Sequence, residues 1–453
     1  MTLSLTFLGA VGTVTGSKFL LHDAKRSILV DCGLFQGYKQ LRLRNWKPLP
    51  VAPAGIDTVV LTHAHLDHSG YVPLLVRDGF AGRVLATPAT RDLCNILLRD
   101  SGFLMERDAD FANRHGFSKH RPALPLYTQQ DAERSLTRFD TVPFGHVRRL
   151  GDDRTLEYLR AGHILGAAIA RIVVDGRTIV FSGDLGRPNS NIMHDPAIVT
   201  GADYLVLEST YGDRRHDPGN PEDALADTIN RTAARGGSVI VPAFAVGRCQ
   251  TLLFHLSRLK DAKRIPAIPI YLDSPMAQDA SDIYRMHPDD HRLSAAACHA
   301  AFGVARYVRT SEESKLLDVQ PMPKIIVSAS GMATGGRVLH HLKHYLPDER
   351  NTILFTGFQA PGTRGADLVR GVDRIRIHGD DVPVRASVEN LSMLSAHADA
   401  DEIIGWLRGF ETPPRRVFLV HGEPAASDAL RKRIETELGW ACTLPEQGET
   451  IAL

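Results

Sequence analysis

Residues 62–70 read Thr62-His63-Ala64-His65-Leu66-Asp67-His68-Ser69-Gly70, and this stretch decides the fold. It follows the apolar run Thr58-Val59-Val60-Leu61, which predicts a buried strand that ends in a polar loop. Imidazole and carboxylate groups are ligands that Zn²⁺ accepts. The spacing allows His63 and His65 to bind one ion and Asp67 and His68 a second. The alternative is a solvated, histidine-rich loop that binds no metal.

The composition is that of an ordinary soluble globular protein. At 453 residues the chain is longer than one hydrophobic core usually serves, so we expect two domains or one domain with a large insertion. The net charge of +1 excludes a positive electrostatic field over the whole protein that would attract polyanions. Any nucleic acid must therefore bind in a local basic groove. The five cysteines are far apart and form no C-x-x-C pair, which favours a reducing compartment.

The sequence predicts neither a signal peptide nor a membrane-spanning segment. The first nine residues alternate like an edge strand and carry no basic region of the kind that opens a signal peptide. No run of the sequence approaches the ~18 apolar residues that a membrane span needs. We therefore expect a cytoplasmic protein with no membrane partner.

Two later positions repeat the pattern of a polar side chain at the end of an apolar strand. Asp184 follows the run 178–181 and lies between Gly183 and Gly186, which allow the backbone to approach a metal closely. A carboxylate can bridge two cations, and we therefore predict Asp184 as the bridging ligand. His163 precedes another predicted strand, where it is placed to act as a single ligand that points back to the first loop.

The region from residue 212 to about residue 384 has a different character. Its predicted strands and helices alternate, which indicates a parallel sheet with helices. Its glycine-rich turns can offer backbone N–H groups to anions, and they lie at residues 242–247, 328–337 and 357–365. After this region, His421 again ends an apolar strand, as Asp184 does. We therefore predict that residues 386–453 return to the first domain, 1–209, and that residues 210–385 are an insertion.

Taken together, these motifs resemble those of the β-CASP branch of the metallo-β-lactamase superfamily. The likeness rests on residues 63–68, on Glu208-Ser209-Thr210-Tyr211-Gly212 and on Ser330-Gly331-Met332. The branch comprises nucleases that process RNA and DNA, among them ribonuclease J and the nuclease subunit of the pre-mRNA 3′-end cleavage factor. The resemblance implies an α/β protein, namely an αββα metallo-β-lactamase sandwich with an inserted α/β parallel-sheet β-CASP domain.

The resemblance also implies a ligand set for two Zn²⁺ ions per chain. The expected ligands are His63, His65 and His163 for one ion, Asp67, His68 and His421 for the other, and Asp184 between them. For Asp31, which ends a further apolar strand, two interpretations stay open. It is either a turn-forming aspartate or, as in the superfamily, a carboxylate that hydrogen-bonds the metal-binding loop.

For catalysis, the family pattern implies four residues, Asp67, Asp184, Glu208 and His397. His397 would donate a proton to the leaving oxygen, and Glu208 would orient His397 and keep it protonated. A purely structural role for His397, as a helix cap, is the alternative.

The expected substrate is single-stranded RNA, cut at its phosphodiester bonds. We expect phosphate contacts from the glycine-rich turns and from the segment around His397, namely from Ser330, Gly331, Arg337, Arg364, Ser395 and His397. Two other functions stay open: a small-molecule hydrolase of the lactonase or thiolesterase type, and a non-catalytic scaffold. The sequence also leaves open whether cleavage is internal or from the 5′ end, and whether the chain forms a homo-oligomer.

Overall fold

Two units make up the chain in a computed structural model that describes residues 3–116, 118–151, 153–320 and 323–453. The sandwich unit comprises Met1–Arg215 and His397–Leu453, and the inserted unit comprises His216–Ala396. The boundaries expected from the sequence, 209/210 and 385/386, both lie earlier in the chain than these.

The strands of the described residues are short. In chain order they are β1 (Ser4–Phe7), β2 (Phe19–His22), β3 (Ser27–Val30), β4 (Thr58–Val60), β5 (Arg83–Ala86), β6 (Phe139–Thr141), β7 (Val147–Gly151), β8 (Arg154–Arg160), β9 (Ala168–Val174), β10 (Arg177–Phe181), β11 (Tyr204–Glu208), β12 (Val239–Pro242), β13 (Ile270–Asp273), β14 (Arg306–Tyr307), β15 (Ile325–Ser328), β16 (Thr352–Phe355), β17 (Arg374–Ile377), β18 (Asp380–Pro383), β19 (Ser387–Asn390), β20 (Arg416–Val420), β21 (Cys442–Thr443) and β22 (Thr450–Ala452).

The helices range from a single turn to seven turns. They are α1 (Lys39–Arg44), α2 (Leu66–Ser69), α3 (Val72–Arg77), α4 (Pro88–His115), α5 (Gln129–Leu136), α6 (Pro221–Ala234), α7 (Arg248–Asp261), α8 (Pro275–Met286), α9 (Ala295–Gly303), α10 (Ser311–Val319), α11 (Val338–Tyr345), α12 (Arg364–Val369), α13 (Ala400–Leu407) and α14 (Pro424–Leu438). None of the helices in the described part of the chain has the length and apolar character needed to span a membrane.

The sandwich unit is built from two seven-stranded mixed sheets. The strand orders are β22-β1-β2-β3-β4-β5-β6 and β21-β20-β11-β10-β9-β8-β7. One core lies between them, because buried side chains from both sheets belong to the same cluster, including Phe7 of the first sheet and Phe418 of the second. The rings of these two residues lie 5.3 Å apart. Helix α14 packs on β20 and β21, and α4 packs on β6, which completes the predicted αββα arrangement.

Parallel pairing within each sheet brings several strand ends to one edge. Strands β10, β11 and β20 are parallel neighbours, and so are β3 and β4. The residues that follow these strands therefore emerge at the carboxyl edges of the two sheets, where polar side chains from distant parts of the chain can meet.

The inserted unit contains a six-stranded parallel sheet in the order β14-β13-β15-β12-β16-β19. All residues of β12, β15 and β16 are buried, as expected of strands covered on both faces. A separate two-stranded hairpin, β17–β18, completes the unit, and the prediction of a parallel-sheet insertion is therefore confirmed.

A charged network ties helices α10 and α11 to strand β13 in the inserted unit. The fully buried ring of His341 lies between two carboxylates, with Nε2 2.8 Å from Asp273 and Nδ1 2.6 Å from Asp318. Arg337 also pairs with Asp273, at 2.6 Å. Burial lowers the pKa of His341, but hydrogen bonds to the two carboxylates outweigh burial and raise the pKa from 6.5 to about 9. Since both ring nitrogens face acceptors, the network requires an imidazolium.

We predict that this network makes the stability of the protein depend on pH. The folded pKa of His341 lies above its unfolded value of 6.5, so its contribution is fully present below pH 6.5 and is lost as the pH rises through about 9. At pH 6, His341→Leu should lower the free energy of unfolding by about 3–5 kcal/mol, because it removes the cation that Asp273 and Asp318 share and leaves Asp273 with Arg337 alone. Denaturant unfolding at pH 6 and pH 10 measures the difference between the two proteins, which should shrink at pH 10. An equal difference at both pH values would contradict the prediction, and His344→Leu, on the exposed face of the same helix, is the control.

Candidate metal centre

The ligands predicted from the sequence all lie at the carboxyl edges of the two sheets of the sandwich unit. His63 and His65 lie in the loop after β4, and Asp67 and His68 lie in α2, which follows directly. Asp184 follows β10, and His421 follows β20. These two strands lie on either side of β11 and are both parallel to it. His163 follows β8, which pairs with β9 in the same sheet. The fold therefore gathers into one place side chains that are more than 350 residues apart in sequence, such as Asp67 and His421.

Three imidazoles and one carboxylate form the first group. His65 Nδ1 lies 3.2 Å from His63 Nε2 and 3.3 Å from His163 Nε2. The Oδ2 atom of Asp184 lies 3.4 Å from His63 Nε2 and 3.5 Å from His163 Nε2. Four ligand atoms thus surround one point, as a tetrahedral site requires.

A second group lies on the other side of Asp184. His68 Nε2 lies 3.2 Å from His421 Nε2, and Asp67 Oδ2 lies 3.4 Å from the same His421 atom. The Oδ1 atom of Asp184 is 3.2 Å from His68 Nε2. The two oxygens of Asp184 therefore face different groups, which is the placement that a bridging carboxylate needs.

Hydrogen bonds outside the two groups select which ring nitrogen of each histidine faces inward. The Thr62 hydroxyl donates to Asp31, at 2.9 Å, so His63 Nδ1 must donate to that hydroxyl at 3.2 Å. His68 Nδ1 lies 2.7 Å from Asp31 and donates to it. Both rings then present Nε2 to the centre, the nitrogen that would bind a metal in its unprotonated form.

The same arrangement recurs at His421. The Thr210 hydroxyl donates to the His421 carbonyl, at 3.2 Å, and lies 3.1 Å from His421 Nδ1. His421 Nδ1 must therefore carry the proton, and its Nε2 is free to bind a metal. Of the two interpretations left open for Asp31, the hydrogen bonds to Thr62 and His68 support an outer carboxylate that orients the loop.

The spacing of the donor atoms fits zinc. Two nitrogens at 2.0–2.1 Å from one tetrahedral ion are about 3.3 Å apart, and the facing imidazole nitrogens lie 3.2–3.3 Å apart. A second indication is the buried Oδ1 atom of Asp184, which faces the second group and makes no hydrogen bond within the described part of the chain. The residues present therefore fit a metal site on each side of Asp184.

Glycines at two positions allow the backbone to come close enough to build this site. A Cβ atom on Gly33 would lie 1.5 Å from the carbonyl oxygen of Asp67, so any side chain there would push the metal-binding loop away. A Cβ atom on Gly186 would lie 2.1 Å from the carbonyl of Gly162, next to His163. Close contact between these segments fixes the distance between ligands from different loops.

Burial and charge set the protonation of the ligands. Burial lowers the pKa of His63 to about 3 and also lowers the pKa values of His65 and His163, so these rings are neutral near pH 7. Burial opposes ionisation of Asp184, but the surrounding histidines, His421 first, hold its pKa well below the usual range. The first group therefore combines neutral imidazoles with an ionised carboxylate, the states in which both bind metals. In the second group burial lowers the pKa of His68, but the charges of Asp184 and Asp31 outweigh burial and raise it well above 6.5, so a metal there would have to displace a proton from that ring.

Glu208 and His397 form a pair beside the first group. His397 Nδ1 lies 3.2 Å from both carboxylate oxygens of Glu208, and His397 Nε2 lies 3.9 Å from Asp184. Glu208 is itself held by the backbone N–H groups of Leu185 and Thr210. Burial lowers the pKa of His397, but the charges of Glu208 and Asp184 outweigh burial and raise it. The arrangement favours the protonated form of an imidazole that lies next to the predicted metal ligands.

Two of the predicted phosphate contacts lie in the glycine-rich turn after β15. The Ser330 hydroxyl bonds to the hydroxyl and backbone N–H of Thr334, at 3.0 and 3.2 Å. Gly331 packs against Phe244, whose ring would lie 2.6 Å from an added Cβ atom. These contacts fix the shape of the turn, and phosphate binding by its residues stays a prediction.

The other predicted phosphate contacts have different surroundings. The Arg337 guanidinium bonds to Asp273, to the Val308 carbonyl and to the Arg309 carbonyl, so it serves the buried network of the inserted unit. Arg364 is partly exposed, and Ser395 is buried at 5% exposure. Of these three, Arg364 is the side chain best placed to meet a ligand.

Sequence reasoning assigned no role to Thr62 or Thr210, although they orient the predicted ligands His63 and His421. Each is a threonine directly after a strand, next to a predicted ligand or motif residue. A hydroxyl adjacent to a metal-binding motif is the only signal that the sequence offers, and it is weak because threonine is common at strand ends.

Comparison with family models agrees with this architecture over most of the chain. The model for the metallo-beta-lactamase superfamily matches residues 12–243, and the model for the Beta-Casp domain matches residues 249–368. A third model, described as a Zn-dependent metallo-hydrolase RNA specificity domain, matches residues 381–445. The three matches follow one another along the chain in the order that the insertion requires.

Several named proteins are similar over nearly the whole chain. Ribonuclease TTHA0252 of Thermus thermophilus is 38% identical over 451 residues, which cover 98% of each chain. The transcription termination factor FttA of Pyrococcus abyssi is 30% identical and covers 99% of this chain and 71% of its own. FttA of Methanosarcina mazei is 31% identical and covers 96% of this chain and 69% of its own.

A solved structure extends the likeness to the fold. The crystal structure of a protein of unknown function from Enterococcus faecalis V583 matches all of both chains with a TM-score of 0.56 at 15% identity. That likeness concerns the fold alone, whereas the family models and the similar proteins concern the sequence. On their evidence the chain belongs to the β-CASP family of the metallo-β-lactamase superfamily.

Proposed function

We propose that the protein is a zinc-dependent ribonuclease that hydrolyses phosphodiester bonds of single-stranded RNA with two zinc ions per chain. The observation that carries the proposal is the Asp184 carboxylate, whose two oxygens face two separate ligand groups. A similar protein is named a ribonuclease, and the matching C-terminal family model is described as an RNA specificity domain, which supports the choice of RNA.

The ligand groups set the position of the reacting phosphate. Bound zinc supplies Lewis acidity, which neutralises charge on phosphodiester oxygens and activates water near neutral pH. His63, His65 and His163 would hold one ion, Asp67, His68 and His421 the other, and Asp184 both. Asp31, Thr62 and Thr210 keep three of the imidazoles in the tautomer that binds metal.

His397 is placed to donate a proton to the leaving oxygen. Its Nδ1 is committed to Glu208, and its Nε2 faces the side of Asp184 on which the first ligand group lies. Hydrolysis leaves an alkoxide that requires a proton, and an imidazolium at this point supplies it. Glu208 does not reach the reacting atoms, so we assign it the role of orienting His397 and stabilising its charge.

Burial of the centre favours a single strand. The side chains of His63 and Asp184 are only 1% and 2% exposed, so a scissile phosphate must reach into a recess. A flexible single strand can place one phosphate there, whereas the backbone of a duplex is held rigidly by its partner strand. The five cysteines are all free thiols, which fits the cytoplasmic location that we also propose.

We expect the purified protein loaded with zinc to cleave single-stranded RNA. RNA labelled at the 5′ end or at the 3′ end, analysed by product size, measures cleavage and distinguishes internal cuts from removal of single nucleotides. Duplex RNA of the same sequence should be cut much more slowly. Faster turnover of lactones or thioesters than of RNA would instead favour the small-molecule hydrolase.

Replacing the shared ligand should remove metal and activity together. Asp184→Asn weakens the electrostatic attraction on both sides of the centre, so zinc content measured by mass spectrometry should fall from about two ions per chain. RNA cleavage should be abolished in the same preparation. Asp428→Asn, an exposed aspartate of α14, is the matched control and should change neither quantity. Full activity of a chelated, metal-free protein would overturn the mechanism.

His397→Ala should keep zinc and RNA binding but lose turnover. Proton donation to a leaving group is worth about 10²–10⁴-fold, so kcat should fall by a factor in that range. Glu208→Gln should cause a smaller loss, and the double variant should resemble His397→Ala because the two residues act as a unit. A nitrophenyl phosphodiester, whose leaving group needs no proton, should be hydrolysed at a rate much closer to that of the wild type.

The controls for this prediction separate proton donation from structural roles. His146→Ala changes an exposed histidine of the same unit and should leave RNA cleavage unchanged. Loss of zinc in His397→Ala would identify His397 as a ligand. Normal RNA cleavage by His397→Ala would identify it as a structural residue.

A further inference from the structure

The hairpin β17–β18 of the inserted unit has an unusual residue in its turn. The two residues between the strands are His378 and Gly379, with φ angles of +51° and +87°. Two-residue turns with positive φ angles at both positions strongly favour Asn, Asp or Gly at the first of them. Histidine is one of the non-glycine residues that this region accepts, and the turn places the imidazole at the end of the hairpin.

A second exposed histidine lies next to this turn. The ring of His340, on α11, lies 4.6 Å from the ring of His378, measured between centroids, with an angle of 41° between the planes. Both side chains are exposed to solvent. Helix α11 and the hairpin therefore present two imidazoles side by side at the surface.

Positive groups surround the two rings. The Arg364 guanidinium is oriented by the Arg376 carbonyl, at 2.8 Å from its Nε, and by the Thr334 carbonyl, at 3.3 Å. Burial lowers the pKa of His378, and the charges of His340, Lys343 and Arg364 lower it further, against the opposite effect of Asp380. Lys343 itself forms an ion pair with Asp380.

His340 has a similar electrostatic environment. Burial lowers the pKa of His340. The positive charges of three neighbours lower it further, namely those of His341, Lys315 and Lys343, whereas the negative charge of Asp318 opposes this effect. Both rings are therefore neutral near pH 7, and each keeps one N–H group as a hydrogen-bond donor. Two neutral donors beside a fixed guanidinium suit an anion with several oxygens. The neutral imidazoles lose little hydration free energy when they bind, and the arginine supplies a positive charge and two parallel N–H···O hydrogen bonds.

We propose that His340, His378 and Arg364 form a phosphate-binding site on the inserted unit, separate from the two ligand groups of the sandwich unit. The source of the phosphate rests on the proposed function: the site would hold a phosphate of the RNA substrate away from the scissile bond. Arg364 was expected from the sequence to contact phosphate, and the structure adds the two histidines beside it.

The first experiment measures phosphate binding at this site in the absence of RNA. Equilibrium dialysis of the zinc-loaded full-length protein against radiolabelled inorganic phosphate gives the number of phosphates bound per chain. The variant His340→Ala/His378→Gly removes both N–H donors and should lose one bound phosphate, or bind it at least about tenfold more weakly, with its zinc content unchanged. Glycine at position 378 suits the left-handed turn, so the hairpin should keep its conformation.

A matched control tests whether the loss of any exposed histidine of this helix lowers phosphate binding. His344→Ala changes an exposed histidine on the same helix, whose ring contacts Tyr345. It should bind as much phosphate as the wild type. Unchanged phosphate binding in the double variant, or equal loss in the control, would overturn the proposed site.

The second experiment identifies the source of the phosphate. With single-stranded RNA as substrate, the double variant should raise KM about tenfold, whereas an effect on kcat alone would contradict a role in binding. If the double variant loses phosphate but keeps the wild-type KM for RNA, the site takes free phosphate and the RNA assignment is wrong. If the wild type binds this phosphate yet cleaves no RNA, the phosphate site stands and the proposed ribonuclease function fails.

Discussion

The charge of Asp184 is the constraint on which the rest of the sandwich unit depends. An ionised carboxylate that is 2% exposed would be very costly without positive or polar partners. Here imidazoles approach it from both sides, at 3.2–3.5 Å. The imidazoles of His63, His68 and His421 are buried in turn, and they keep their orientation because hydroxyl and carboxylate groups behind them, from Thr62, Asp31 and Thr210, accept their protons. A polar network of this kind tolerates few substitutions, since each member leaves its neighbours unsatisfied when it is removed.

The sheet topology makes such a network possible with short strands. Parallel neighbours β10, β11 and β20 deliver Asp184, Glu208 and His421 to one edge, in that spatial order. The loop with His397 is then joined to the loop after β10 through backbone contacts between His397 and Gly186 and between Ala398 and Leu185. Regular hydrogen bonding of the backbone thus sets most distances in the site before any side chain is considered.

The prediction of the fold is confirmed because it depends on local patterns, and the side chains predicted as metal ligands lie together in the structure. Histidine and aspartate directly after an apolar run are visible in the sequence, and the superfamily resemblance supplied the expected partner of each. Arg337 was harder to judge, since a basic side chain in a glycine-rich turn looks the same whether it points to solvent or, as here, to a buried aspartate. The pairing of His340 with His378 could not be predicted, because it arises from the packing of a helix against a hairpin that lies well beyond it in the chain.

One consequence of the topology concerns the order in which the protein is made. Strands β11 and β20 are hydrogen-bonded neighbours, yet the whole inserted unit is synthesised between them. The first ligand group is complete once Asp184 has emerged from the ribosome, whereas the second lacks His421 until the inserted unit has been translated. Pairing of such distant strands is slow, because the chain between them must first become compact. A nascent chain therefore carries six of the seven predicted ligands while the inserted unit is being made, and the second group can form only after that unit has been synthesised.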